Sequence, residues 1–84
     1  MVRVKVKYLA AISDYTGVPE EEIEVGDGVT LADLLNRIRE LHPDLAKFED
    51  RFSILVLVNG VNRGLNYKLM DGDRVALLPP VSGG

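Results

Sequence analysis

From Val2 to Tyr8 apolar and charged residues alternate without a break. A β-strand sends successive side chains to opposite faces. The stretch therefore predicts a half-buried strand with Val2, Val4, Val6 and Tyr8 inside and Arg3, Lys5 and Lys7 in water. Leu9 continues the outward parity, an apolar residue where a polar one is expected. "AAISDYTG" predicts about one helical turn closed by Gly17, and "EEIEV" alternates again, with Ile23 and Val25 inward and Glu22 and Glu24 outward. The acidic run Glu20–Glu22 reads as the wet approach to that strand, and Gly26–Gly28 as a turn.

Between Val29 and Leu41 the period changes to that of a helix. Thr30 fits the N-cap, Asp33 the carboxylate three residues on, and Val29 a staple onto Leu34. Leu31, Leu34, Leu35, Ile38 and Leu41 make one apolar stripe, and Asp33 with Arg37 an (i, i+4) pair. Pro43 disfavours helical geometry at His42 and ends the run. "PDLAKFEDRF" follows as an irregular segment with a helical turn on Leu45 and Phe48.

Ile54–Val58 is continuously apolar and rich in β-branched residues, which predicts a central strand. Asn59-Gly60 between two valines predicts a tight hairpin, opening a short further strand. Asp71-Gly72-Asp73 turns into a last strand at Arg74–Leu78, where Val75 and Leu77 share one face and Ala76 and Leu78 the other. The order is strand, strand, helix, strand, short strand, strand. A crossover helix of this length joins parallel neighbours. The expected fold is an α+β β-grasp roll, a mixed sheet of about five strands with one main helix packed on one face. A ferredoxin-like split needs a second long amphipathic helix, which the pattern lacks.

Composition narrows the function classes. The 84 residues, 46% of them hydrophobic, suffice for one core, and the expected organisation is a domain over 1–80 with a flexible tail over 81–84. With no cysteine there is no disulfide, thiolate site or cysteine nucleophile. No signal-peptide pattern and no apolar run of membrane-spanning length appears, so a soluble cytoplasmic protein without a membrane partner is expected. The formal net charge of −3 argues against nucleic acid as a partner. The stripe Arg3, Lys5 and Lys7 reads as a solvated or edge-protecting face, or as a docking stripe for an acidic protein.

Conventional catalysis has little to stand on. His42 is the one histidine and reads as a solvated residue at a helix end. A lone histidine without cysteine makes a transition-metal site a poor fit. Asp71 and Asp73 are explained by a turn, and Ser13 and Ser82 have no base to activate them. The chain is read as no enzyme by itself.

The tail "PPVSGG" remains. Pro79 and Pro80 fix φ and favour extended geometry, so the chain leaves the globule in a set direction. Val81 to Gly84 then reach at most roughly 13–14 Å. Gly83 and Gly84 lack a Cβ, so walls of another protein can close around their backbone. A terminal carboxylate is ionised at neutral pH and can attack the α-phosphorus of a nucleoside triphosphate. The alternative reading is a frayed terminus.

"VNG" in a hairpin, "VKYLAAISDYTG" near the start, the helix opened by Thr30 and the closing "DGDRVALLPPVSGG" together resemble the ubiquitin-like sulfur carriers. That family includes the small subunits of molybdopterin synthase (MoaD) and the thiamine-pathway carriers (ThiS). The resemblance covers essentially the whole chain and leans towards the pterin branch. It implies that Gly84 is adenylated by a ubiquitin-activating-like (MoeB-like) enzyme, which uses ATP, and is converted to a thiocarboxylate. Val81, Ser82, Gly83 and Gly84 would then enter the large (MoaE-like) synthase subunit and donate sulfur to a pterin precursor. The family has no metal or organic cofactor of its own. In that light the outward Leu9, Val61 and Leu78, with Pro79 and Pro80, are expected to form a partner-docking patch. The same activated glycine also suits a protein modifier forming isopeptide bonds, or a carrier for tRNA thiolation, thiazole or cysteine synthesis. A passive interaction domain is the third class.

Overall fold

The computed structural model describes residues 1–80. In chain order the elements are β1 (Val2–Tyr8), α1 (Ile12–Thr16), β2 (Glu20–Val25), α2 (Leu31–Leu41), α3 (Leu45–Glu49), β3 (Leu55–Val58) and β4 (Arg74–Leu78). The four strands form one sheet in the order β2-β1-β4-β3. β1 runs antiparallel to β2 and parallel to β4, and β3 runs antiparallel to β4. The first and last strands of the chain thus lie side by side at the centre.

Alternation in β1 puts Val4 and Val6 fully inside and leaves Arg3, Lys5 and Lys7 exposed. Their core partners are Ile23 and Val25 from β2, Val75 and Leu77 from β4, and Leu31, Leu34 and Ile38 from α2. Burying each aliphatic side chain contributes about 1.5–3 kcal/mol. α2 starts as its residues predict: Thr30 Oγ1 accepts from the Asp33 N–H at 3.3 Å, and Asp33 Oδ2 accepts from the Thr30 N–H at 3.1 Å. Two further N–H groups of that first turn, on Leu31 and Ala32, donate to the carbonyls of Tyr67 and Leu65. These satisfy donors that a helix start otherwise leaves orphaned. Asp33 also accepts from Thr30 Oγ1, and no ion pair with Arg37 forms among the described residues.

Among the described residues the sheet has four strands rather than five. Beyond the Asn59-Gly60 turn a single bridge joins Val58 to Val61. Asn62, Arg63 and Gly64 offer no alternating apolar face to bury, so the chain leaves the edge and runs instead to the start of α2.

The apolar run at 54–58 is likewise an edge strand, not a central one. Val58 is buried and Val56 half-buried against the core, whereas Leu55 on the opposite face is 37% exposed. Apolar character on both faces of β3 reflects a core on one side and an uncovered surface on the other. Leu41, expected in the α2 stripe, is exposed at the end of the helix.

Candidate functional site

The expected docking residues sit around the end of β4. The β1–β4 ladder pairs Tyr8 with Leu77 and continues through the Leu9 N–H, which donates to the Leu77 carbonyl at 3.0 Å. Parity then sets Leu9 beside Leu78 on the sheet face opposite α2. Leu9 is 38% exposed and Leu78 is half-buried. Pro79 is half-buried and Pro80 exposed immediately beyond. Val61 is exposed as well, but its pairing with Val58 across the turn puts it on the side of β3 that carries Val58, at the sheet edge. Leu9 and Leu78 are therefore brought together, and Val61 stands apart from them.

Three residues join this face that sequence reasoning missed. The β3–β4 register pairs Leu55 with Leu78 and Leu57 with Ala76. Leu55, Leu57, Ala76, Leu78 and Leu9 thus form one apolar surface over β3, β4 and the end of β1. The signal was present in the unbroken apolar run at 54–58, which also fits a strand buried on both faces. An exposed contiguous apolar patch on a small domain marks an interaction surface.

Val81, Ser82, Gly83 and Gly84 lie outside the described residues. What the structure does define is the strand that delivers them. Asn59, at φ 51, and Gly60, at φ 80, both adopt the left-handed conformation, the demand of a type I′ hairpin turn. The Asn59 side chain then extends the β3–β4 ladder: its Oδ1 accepts from the Arg74 N–H at 3.0 Å, while its own N–H donates to the Arg74 carbonyl at 2.7 Å. Its Nδ2 donates to the buried carboxylate of Asp73, which also accepts from Tyr67 Oη and the Met70 N–H. Burial pushes the Asp73 carboxyl up, but these three donors outweigh it and hold the group below its ordinary range. Gly72, at φ 87, closes the preceding turn, with its N–H on the Arg3 carbonyl and the Arg3 N–H on Asp71. Asp71 and Asp73 are turn residues, as expected, and Asp73 is in addition the polar anchor of the last strand.

His42 is not a solvated helix end. Its Nε2 meets the Glu21 carboxylate, which also accepts from Tyr8 Oη, and its ring packs edge-on to the Tyr8 ring at 5.6 Å. Glu21 shares the parity of Ile23 and Val25, so it points inward at the sheet rim instead of into water. Burial raises the Glu21 carboxyl, and the two hydrogen bonds with the His42 charge reverse the balance, leaving it lowered. Burial and the bond to Glu21 push the Tyr8 phenol up. The three groups tie the end of α2 to β1 and β2, and all three are committed to one another.

One crossover helix on a mixed sheet, with the last strand central and parallel to the first, defines a β-grasp protein of the ubiquitin-like class. The chain belongs to the ThiS family, which it matches over residues 6–84. A molybdopterin synthase sulfur carrier subunit from Chlamydomonas reinhardtii is 36% identical over 99% of this chain and all of the relative. Among solved structures, a Pyrococcus furiosus protein described as molybdopterin converting factor subunit 1 superposes with a TM-score of 0.86 at 36% identity, covering 96% of this chain and 100% of that one. Small archaeal modifier protein 1 from Haloferax volcanii gives 0.84 at 27%, with coverages of 96% and 100%. A chain from the complex of subunits 1 and 2 of the Helicobacter pylori molybdopterin-converting factor gives 0.72 at 27%, with coverages of 99% and 100%.

Proposed function

We propose that this chain is the sulfur carrier of molybdopterin synthesis, acting as the small subunit of a two-subunit synthase. The observation that carries the reading is the convergence of the exposed apolar face and the outgoing chain on one strand. Leu78 closes β4, Leu9 flanks it, and Pro79 and Pro80 lead directly on to Val81–Gly84. A partner seated on that face has the last four residues within reach of its own active site, roughly 13–14 Å at full extension. Full-length similarity to sulfur carrier subunits, and to a chain from a complex of subunits 1 and 2 of the molybdopterin-converting factor, supports this assignment of partner.

The chemistry belongs to the α-carboxylate of Gly84. A carboxylate oxygen attacks the α-phosphorus of ATP on a ubiquitin-activating-like enzyme, pyrophosphate leaves, and a mixed acyl-adenylate forms. A sulfur nucleophile then attacks the acyl carbon and expels AMP, leaving sulfur on the C-terminal carbonyl. Gly83 and Gly84 let the partner's walls approach the backbone. The carrier contributes the reactive group and the docking face, and its partners contribute the catalytic side chains.

The test is an intact mass after incubation with ATP, an activating enzyme and a sulfur donor. Exchange of one oxygen for one sulfur, absent when Gly84 is deleted, is the expected result; an unchanged mass in the full-length chain overturns it. A second reading, a protein modifier, draws on the similarity to the small archaeal modifier protein. Conjugate ladders on a gel, dependent on Gly84 and on ATP, would favour it.

A further inference from the structure

The outer sheet face carries a second feature beside the apolar patch. Arg3 is neutralised across the strand by Glu22 and Glu24, at 3.6 and 3.0 Å, and Lys5 by Glu20 at 3.2 Å. Lys7 has no acidic partner among the described residues, because its register neighbour Glu20 is already held by Lys5. On the other side β4 adds Arg74, which the parallel register sets directly beside Lys5, like charge against like. Lys5, Lys7 and Arg74 line one open depression together with Gly60 and Ala76. Ala76 is also part of the apolar patch, through its pairing with Leu57. Glu20 offsets the charge of Lys5, but Lys7 and Arg74 have no counter-ion among the described residues, and an anionic surface laid over them supplies one.

We propose that Lys7 and Arg74, with Lys5 behind them, form a cationic rim that receives a cluster of carboxylates on the protein docked over Leu57, Ala76 and Leu78. The inference rests on the docking of a partner on this face. The occupant is an acidic protein surface and not a nucleic acid. The cations border an apolar patch, which a phosphate backbone has no use for and the core of a protein interface does. The rim orients the partner before contact and sets the rate of productive encounter, whereas the leucines govern how long the complex lasts.

The experiment measures association of the full chain with subunit 2 of the molybdopterin-converting factor from the same organism, at low and high salt. The combined variant Lys7→Gln/Arg74→Gln is expected to associate on the order of tenfold more slowly than the native chain at low salt, with the difference vanishing at high salt. Lys7→Arg/Arg74→Lys keeps both charges and is expected to match the native chain. Circular dichroism checks that each variant folds. An unchanged association rate and salt dependence in the glutamine variant, while Leu78→Asp still abolishes binding, overturns the rim and leaves the docking face standing. No binding by the native chain overturns both. Tight binding of a single-stranded RNA oligonucleotide that is lost in the glutamine variant, with subunit 2 unaffected, assigns the cations to nucleic acid and overturns the proposal.

Discussion

The side-chain amide of Asn59 donates a 2.9 Å hydrogen bond to the carboxylate of Asp73, a residue only 6% exposed. Asn59 opens the turn that follows β3 and Asp73 immediately precedes β4, so the bond fixes the register of the strand from which the tail departs.

Removing the acceptor in that lock is expected to be costly. Asp73→Ala leaves the Asn59 amide, the Tyr67 hydroxyl and the Met70 N–H without their partner, and is expected to lower stability by about 1–3 kcal/mol. Urea titrations at neutral pH measure the loss. The native chain carries the matching pH dependence. The folded-state pKa of Asp73 is depressed, so its contribution is complete above the unfolded value of about 3.9 and disappears as pH falls through the folded value. The gap between native and variant midpoints should therefore close in acid.

Asn59 does two jobs that two substitutions separate. Asn59→Gly keeps the left-handed backbone at φ 51 and loses only the side-chain bonds. Asn59→Ala loses the bonds and adds about 1 kcal/mol of left-handed strain. Alanine should thus melt below glycine, and glycine below the native chain. Equal melting temperatures for the two variants would show that the turn conformation contributes nothing.

At the rim of the sheet, Tyr8→Phe keeps the ring against His42 but removes the hydroxyl from Glu21. The expected cost is about 1 kcal/mol at neutral pH. Glu21 is also held below its ordinary range, so its stabilisation is present above the unfolded carboxyl pKa and is lost as pH falls through the folded one. Thermal melts across that acidic range should show the native and Phe variants converging.

Leu57→Asp tests the part of the apolar face contributed by β3. Leu57 is only half-buried on the face opposite α2, so circular dichroism should report an intact fold. Pull-down of subunit 2 should fail, as it should for Leu78→Asp. Retained binding by the β3 variant alone would confine the interface to Leu78 and Leu9.

Much of the fold was legible because its signals are local. The alternation of Val2–Tyr8, the Thr30–Asp33 capping box, the Asn59-Gly60 turn and the Pro43 stop each depend on residues within a few positions. The structure shows all four as expected. The rest depended on neighbours remote in the chain. Glu21 and His42 both read as solvated, because nothing nearby in sequence announces Tyr8 as their common partner. Arg37 and Asp33 had the spacing of an ion pair, yet the Thr30 N–H and hydroxyl claimed the carboxylate.

Local patterning along the chain was enough to establish a half-buried first strand, one amphipathic crossover helix, the hairpin turn and a last strand running into a proline-stiffened glycine end. Each follows from backbone sterics and side-chain period, which covalent neighbours set. Whether Ile54–Val58 was central or peripheral was decided only in three dimensions. An apolar side chain records a preference to leave water and not which strand or partner covers it. Strand order alone put Leu55 and Leu57 on the same uncovered face as Leu78 and set Arg74 next to Lys5.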